Sequence, residues 1–133
     1  MSDESRNRRT VAAYFSAVRR GDREGWVACF AEDAVSHDPP GQPPLRGHAA
    51  LRAFFDGFTA QFSDFSLHEG EVRVVGDQAA AAFSARGTSR PGGRSASFDG
   101  IDVFRFDAGG RIVELRCFWD PAALQAQLAA PQG

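Results

Sequence analysis

Three side chains far apart in the chain could share acid–base work: Tyr14, Asp38 and Asp102. Asp38 stands in SHDPPGQPP, directly before Pro39, so its backbone is pushed towards extended geometry. Pro39, Pro40, Pro43 and Pro44 then stiffen the loop. A carboxylate held still at the mouth of a cavity meets the first need of a general base, which is aim. The same residue also fits an ordinary turn aspartate that accepts local backbone hydrogen bonds. Tyr14, the only tyrosine, falls on the apolar face of a helical stretch, which predicts a buried hydroxyl with a partner. A core tyrosine bonded to a backbone carbonyl fits that position as well.

Asp102 lies in FDGIDVFRF, where alternation puts Phe98, Gly100, Asp102, Phe104 and Phe106 on one face. Asp99, Ile101, Val103 and Arg105 take the other. An aspartate among phenylalanines is costly to ionise. Its pKa should rise, so its acid form can donate a hydrogen bond. A wetter face, or an arginine paired with Asp102, would undo that reading. The coherent combination is an ionised carboxylate at a cavity mouth, with a phenol and a neutral acid inside.

Other chemistries find little support. His37, His48 and His68 show no paired ligand spacing, so no metal site is expected. No glycine-rich loop follows a strand and opens a helix, and no nucleophile elbow is present. Cys29 and Cys117 lack CxxC or metal spacing and read as buried free thiols. The net charge of −2 and pI of about 5.9 give no case for nucleic acid or an anionic membrane. No long apolar span appears, and the polar start MSDESRNRR is unlike a secretory signal, so a cytoplasmic protein is expected. Twelve phenylalanines against one tyrosine and one methionine predict an interior or cavity that is aromatic and poor in hydroxyls.

The elements that would position these residues follow from periodicity. One domain over residues 1–133 suits the length. Val11, Tyr14, Phe15 and Val18 mark a helix over 6–20, which Gly21 stops. Asp22 can cap a second helix over 23–33, with Trp26, Val27 and Phe30 turned inward. An extended piece, 34–38, should show Ala34, Ser36 and Asp38 on one face. A third helix begins near Gly47 with the stripe Leu51, Phe54, Phe55 and Phe58, and Phe62 one turn on. Period-two patterning then predicts strands over 65–76, 78–89, 94–106 and 111–119, with turns at Asp77-Gln78 after Gly76, SRPGGR and DAGG. A short helix or tail over 121–130 closes the pattern. Helices followed by antiparallel strands give an α+β domain, helices against a curved sheet, which can enclose a cone-shaped cavity. A solid core without a cavity is the plain alternative.

With these residues in view, the chain resembles the Δ5-3-ketosteroid isomerases, within the wider NTF2-like (SnoaL-like) group. The resemblance covers nearly the whole chain. It rests on Tyr14, the GD helix break, FAEDA, the DPPGQPP turn and the strand IDVFRF. It implies an NTF2-like cone-shaped barrel, three N-terminal helices on a curved antiparallel or mixed sheet around an apolar pocket. It further implies an isomerase that moves a C=C bond of a ketone from β,γ to α,β. Asp38 matches the family's general base, and Tyr14 and protonated Asp102 match its oxyanion hole. Phe54, Phe104 and Trp119 fall where the family places apolar pocket residues; Phe58 and Phe83 join them as candidate substrate-binding positions. The resemblance also implies an apolar, steroid-like ketone substrate, no cofactor, and a homodimer, for which the face carrying Arg105, Glu114 and Arg116 is a candidate. Relatives on the fold include polyketide cyclases, epoxide hydrolase/cyclases and non-catalytic binders, so those remain the alternatives. Two departures stand out. Phe30 and Phe55 replace tyrosines that some members place behind the catalytic phenol. Ala85 and Gly87 replace bulkier residues, which predicts a wider or differently shaped pocket.

Overall fold

Helix α1, Asp3–Arg20, buries the four periodic residues Val11, Tyr14, Phe15 and Val18. In the computed structural model, which describes residues 3–90 and 92–129, Gly21 ends this helix at φ +65°. Asp22 then caps α2, Arg23–Val27, its Oδ1 accepting from the Gly25 amide at 2.9 Å. The second helix is shorter than the sequence predicts. It stops at Val27, and the segment expected to continue it is strand β1, Phe30–His37. FAEDA has helix-forming residues, but Phe30 and Val35–His37 pair with a sheet strand, and that tertiary pairing overrides local propensity. Phe30 still points inward, fully buried, from a strand instead of a helix.

After the proline loop comes β2, Leu45–Arg46, antiparallel to β1 and too short for a sequence signal. Helix α3, Gly47–Gln61, begins at the expected glycine. Phe62 does not extend its stripe. It opens β3, Phe62–Val75, and packs into a small second cluster with Ala96 and Leu124.

Strands β4, Gln78–Ser89, β5, Ser95–Phe106, and β6, Ile112–Phe118, follow the predicted pattern closely. Sheet order is β2-β1-β6-β5-β4-β3, antiparallel throughout except for the β1–β6 pair. The sheet is curved and mixed but remains unclosed, and the helices pack against it. Turns fall where expected: Asp107 Oδ1 accepts from Gly109 and Arg111 amides at 2.9 and 3.0 Å, fixing the DAGG reversal. Pro91 of the SRPGGR turn and Ala130 of the final helix lie outside the described residues. Helix α4 runs Pro121–Ala129. Its Gln127 amide bonds both the N–H and the C=O of Ser97, at 2.8 and 2.7 Å. One side-chain amide thus satisfies the edge of β5 that β6 does not reach.

Alternation along β5 holds: Ala96, Asp102, Phe104 and Phe106 are buried, while Ser97, Asp99, Ile101 and Arg105 are exposed. Phe15, Phe30, Phe104, Leu51, Ile112 and Leu115 form the closed centre of the core. Cys29 and Cys117 are free and buried, as expected. None of the helices among the described residues is long and apolar enough to cross a membrane.

Gly100 is required for space. A Cβ there would collide with the Phe118 carbonyl and stand 2.8 Å from Phe83 Cζ. Since that carbonyl belongs to the adjoining strand, the clash cannot be relieved by a rotamer change. Gly100→Ala is expected to lower stability by about 1–3 kcal/mol, read as a fall in the urea midpoint. An unchanged midpoint would show that the β5–β6 junction is looser than this packing implies.

Candidate active site

The sheet order places three strands side by side, and the chemistry sits at one end of them. Asp38 is the first residue beyond β1, Asp102 lies on β5, and β6 runs between. Tyr14 reaches the same region from α1. All three line one cavity of ≈ 170 Å³, whose walls are otherwise mostly aromatic and aliphatic. The three residues singled out by sequence are therefore together.

Asp38 is half-buried, and its Oδ1 accepts from Trp119 Nε1 at 2.6 Å. Burial pushes its pKa up to about 6, while the Trp119 N–H and the nearby Cys117 thiol hold it down by stabilising the carboxylate. Asp102 is 2% exposed, and its Oδ1 has no hydrogen-bond partner. No arginine lines the cavity to neutralise it. Burial raises its pKa to about 8; the Cys117 thiol opposes that rise and the Asp38 charge adds to it. Near neutrality the two carboxyls therefore prefer different states, Asp38 ionised and Asp102 protonated. Tyr14 is held well above the ordinary phenol value, chiefly by burial. Its ring meets Phe15 and Phe104 edge-on, with centroids 5.1 and 5.4 Å away.

Four of the five expected apolar positions line the cavity: Phe54, Phe58, Phe83 and Trp119. Phe104 does not. It is fully buried beneath Tyr14 and stacks on Phe106 at 6.0 Å. Two residues beyond Asp102 on the same face, it lies beneath Tyr14 of α1, so it supports the phenol ring and leaves the cavity to others. Trp119 exceeds its expected role, since its N–H bonds the Asp38 carboxyl while its ring packs on Phe98 at 4.9 Å.

Sequence reasoning missed Cys117, Trp26, Phe65 and Leu124 as lining residues. Alternation did carry a signal for Cys117, because Leu115, Cys117 and Trp119 share one face. Phe62 Cβ stands 3.3 Å and Phe65 Cδ2 3.4 Å from where a Gly87 Cβ would be, so aromatic rings take the vacated room. Ala85 is not part of the cavity lining. Phe30 contributes a ring edge near Tyr14, 6.1 Å between centroids, and no hydroxyl. Trp26 packs between Phe30 and Phe55, its Nε1 without a hydrogen-bond partner. His48 Nε2 lies 2.9 Å from the Phe30 carbonyl and His68 meets Ser66, both away from the cavity.

Comparison with known proteins agrees with this fold. Residues 11–115 match the family model described as a SnoaL-like domain. A steroid Delta-isomerase from Nocardioides simplex is 37% identical over 111 residues, 84% of this chain and 87% of that protein. Among solved structures, the epoxide hydrolase/cyclase-like enzyme SalBIII, involved in pyran ring formation in the polyether salinomycin, is 30% identical with a TM-score of 0.82. The match covers 92% of this chain and 97% of SalBIII. A SnoaL-like polyketide cyclase from Jannaschia sp. CCS1 is 20% identical and shares the fold, with a TM-score of 0.88 over 99% of this chain and 97% of its own.

The two raised carboxyls make stability depend on pH in a defined direction. In the unfolded chain an aspartate releases its proton near 3.8; in the fold Asp38 keeps it to about 6 and Asp102 to about 8. The folded state then holds more protons than the unfolded one, so these groups lower stability as pH rises across that window. Where Asp102 alone holds the extra proton, the slope is about 1.4 kcal/mol per pH unit. Urea unfolding followed between 3.8 and about 8 should show this decline, and Asp102→Asn should flatten its upper part. A decline of equal steepness in the variant would mean that Asp102 titrates normally.

Proposed function

Because the chain belongs to the SnoaL-like family, we propose that it is a ketosteroid isomerase-like enzyme acting on an apolar β,γ-unsaturated ketone. The observation that carries this reading is the sharing of one apolar cavity by a base-like carboxylate, a phenol and a carboxyl that prefers its proton. Similarity to a steroid Delta-isomerase over most of both chains supports it.

In this mechanism the ketone oxygen accepts hydrogen bonds from Tyr14 and protonated Asp102. Asp38 takes a proton from the α-carbon, and the C–H electrons form the dienolate. Negative charge gathers on the oxygen, where the two donors are aimed. The use of a neutral carboxylic acid as donor is this family's own known device and is carried over from it. Asp38 then returns its proton to the γ-carbon, and the double bond comes into conjugation with the carbonyl. The step is redox-neutral and consumes no cofactor. Phe54, Phe58 and Phe83 supply apolar contact for the substrate body. Trp119 fixes the base on one oxygen while leaving Asp38 free to reach two carbons in turn.

A homodimer fits the outer sheet face. Ile101 and Phe118, in register across β5 and β6, are 51% and 44% exposed beside the Arg105–Glu114 pair. Two buried free thiols suit a reducing compartment, which favours the cytoplasm. A second reading keeps the acid and base but changes the reaction. Similarity to SalBIII favours it: Asp102 would protonate an epoxide oxygen while Asp38 activates an internal hydroxyl or water. A phenol and an acid aimed at a single oxygen suit an enolate better, so isomerisation is preferred. Incubation with an epoxide-bearing polyether precursor discriminates, since only the second reading consumes it.

Addition of a 5-ene-3-ketosteroid should raise the ultraviolet absorbance of the conjugated enone. Asp38→Asn should cut turnover by at least roughly 10²-fold while leaving the fold intact. Turnover equal to wild type would remove Asp38 from the reaction. Asp102→Leu should lower kcat by roughly 10²–10³-fold and weaken binding of phenolic enolate mimics. Undiminished affinity for such a phenol would take Asp102 out of the oxyanion site.

A further inference from the structure

Cys117 stands where the two carboxyls would otherwise face each other. Its strand, β6, lies between β1 and β5 in the sheet. Across β5 it is in register with Asp102. Across β1 the parallel pairing matches His37 with Arg116, so the next step along both strands brings Asp38 level with Cys117. The thiol is 3% exposed and lines the cavity. The other cysteine, Cys29, lies outside that lining and donates to the Gly25 carbonyl at 3.5 Å.

Hydrogen-bond donors are scarce around these acids. Trp119 Nε1 serves one oxygen of Asp38, and Asp102 Oδ1, deeply buried, has no partner. We propose that Cys117 is a positioning residue whose S–H is the shared hydrogen-bond donor between the base and the oxyanion acid. The inference rests on the isomerase reading for its purpose, though not for its test.

The physical argument turns on the thiol's inventory. A cysteine carries one proton and can donate it to one acceptor at a time. Turned to Asp38, it supports the carboxylate that must be ionised, and Asp102 keeps its own proton for the substrate oxygen. A serine in the same place would donate more strongly, and an alanine not at all. The interaction is electrostatic in the expected sense: the Cys117 side chain favours the ionised forms of both Asp38 and Asp102. Burial holds Cys117 itself well above the ordinary thiol range, so it stays an S–H. Titratable or charged side chains facing it are Tyr14 from α1, Asp38 from the end of β1 and Asp102 from β5. The remaining elements give the cavity uncharged linings: Phe54, Phe58 and Gln61 from α3, Phe65 and Phe83 from β3 and β4, and Leu124 from α4.

The test is a carboxyl-carbon NMR titration of the free protein labelled at aspartate. Wild type, Cys117→Ala and Cys117→Ser would be compared, with Asp38→Asn and Asp102→Asn assigning the two resonances. In Cys117→Ala both carboxyls should titrate at higher pH, by about half to one unit each, the effect of one lost hydrogen bond. Cys117→Ser, the stronger donor, should bring them below wild-type values. The acid limb of the isomerisation profile should move upward in the alanine variant and downward in the serine variant. Carboxyl titrations identical in all three proteins would overturn the proposal. A shift in Cys117→Ala that serine fails to reverse would overturn it too, since packing alone would then explain the change. Should the alanine variant fail to fold, the serine comparison decides by itself, and an unshifted Asp38 there counts against the idea. A wild type that shows these titrations yet isomerises no ketone would sink the functional reading and leave the thiol link standing.

Discussion

Charge is expensive in an apolar cavity, and this cavity holds two carboxyls. That cost organises the site. Each acid alone would resist ionisation, and the charge on Asp38 makes ionising Asp102 harder still. The asymmetry between them is set by donors. Asp38 has the Trp119 N–H at 2.6 Å, whereas Asp102 Oδ1 has nothing. A single indole therefore helps determine which acid ionises first. Its leverage is large because the surrounding rings exclude the water that would otherwise equalise the two groups.

The sheet topology serves this arrangement. Antiparallel neighbours alone would not carry the end of β1 alongside the β5–β6 pair. The one parallel pairing, β1 with β6, brings the proline-stiffened end of β1 level with the middle of β5. Tyr14 then descends from α1 onto the same point, its ring held by Phe104 and Phe15. The two carboxyls and the phenol come from three elements, each with its own packing in the core. A shift of any one would misalign the set, so the placement of Asp38 depends on the core as much as on the loop.

Much of this was legible in the sequence, and the failures have physical causes. Period-two alternation found β5 and its inward Asp102, because each strand residue has only two faces to choose from. Helical spacing found α1 and Tyr14. The end of α2 was misread because FAEDA favours a helix locally, and its pairing with β6 lies about eighty residues away. Phe104 was misplaced because alternation reports the face of a strand but not how far along that face a helix covers it. Gly87 left the pocket's shape open for a related reason: a missing side chain leaves room, and sequence does not say what fills it. Phe62 and Phe65 do. Trp119 and Cys117 were legible as inward-facing residues, but their hydrogen-bonding roles depend on register between strands.

The shortage of hydroxyls ties these observations together. With phenylalanine at position 30, Tyr14 has an aromatic edge where a second phenol could have stood. Such edges pack well but do not stabilise a phenolate, which is consistent with a Tyr14 that holds its proton tightly. A phenol that holds its proton tightly stays neutral and able to donate a hydrogen bond, though a less acidic donor makes a weaker bond. The same scarcity raises the value of every remaining donor, the Trp119 indole and the Cys117 thiol above all. Polar groups in this cavity are few, so the consequence of each is large, and the chemistry the site can perform is set by where those few protons reside.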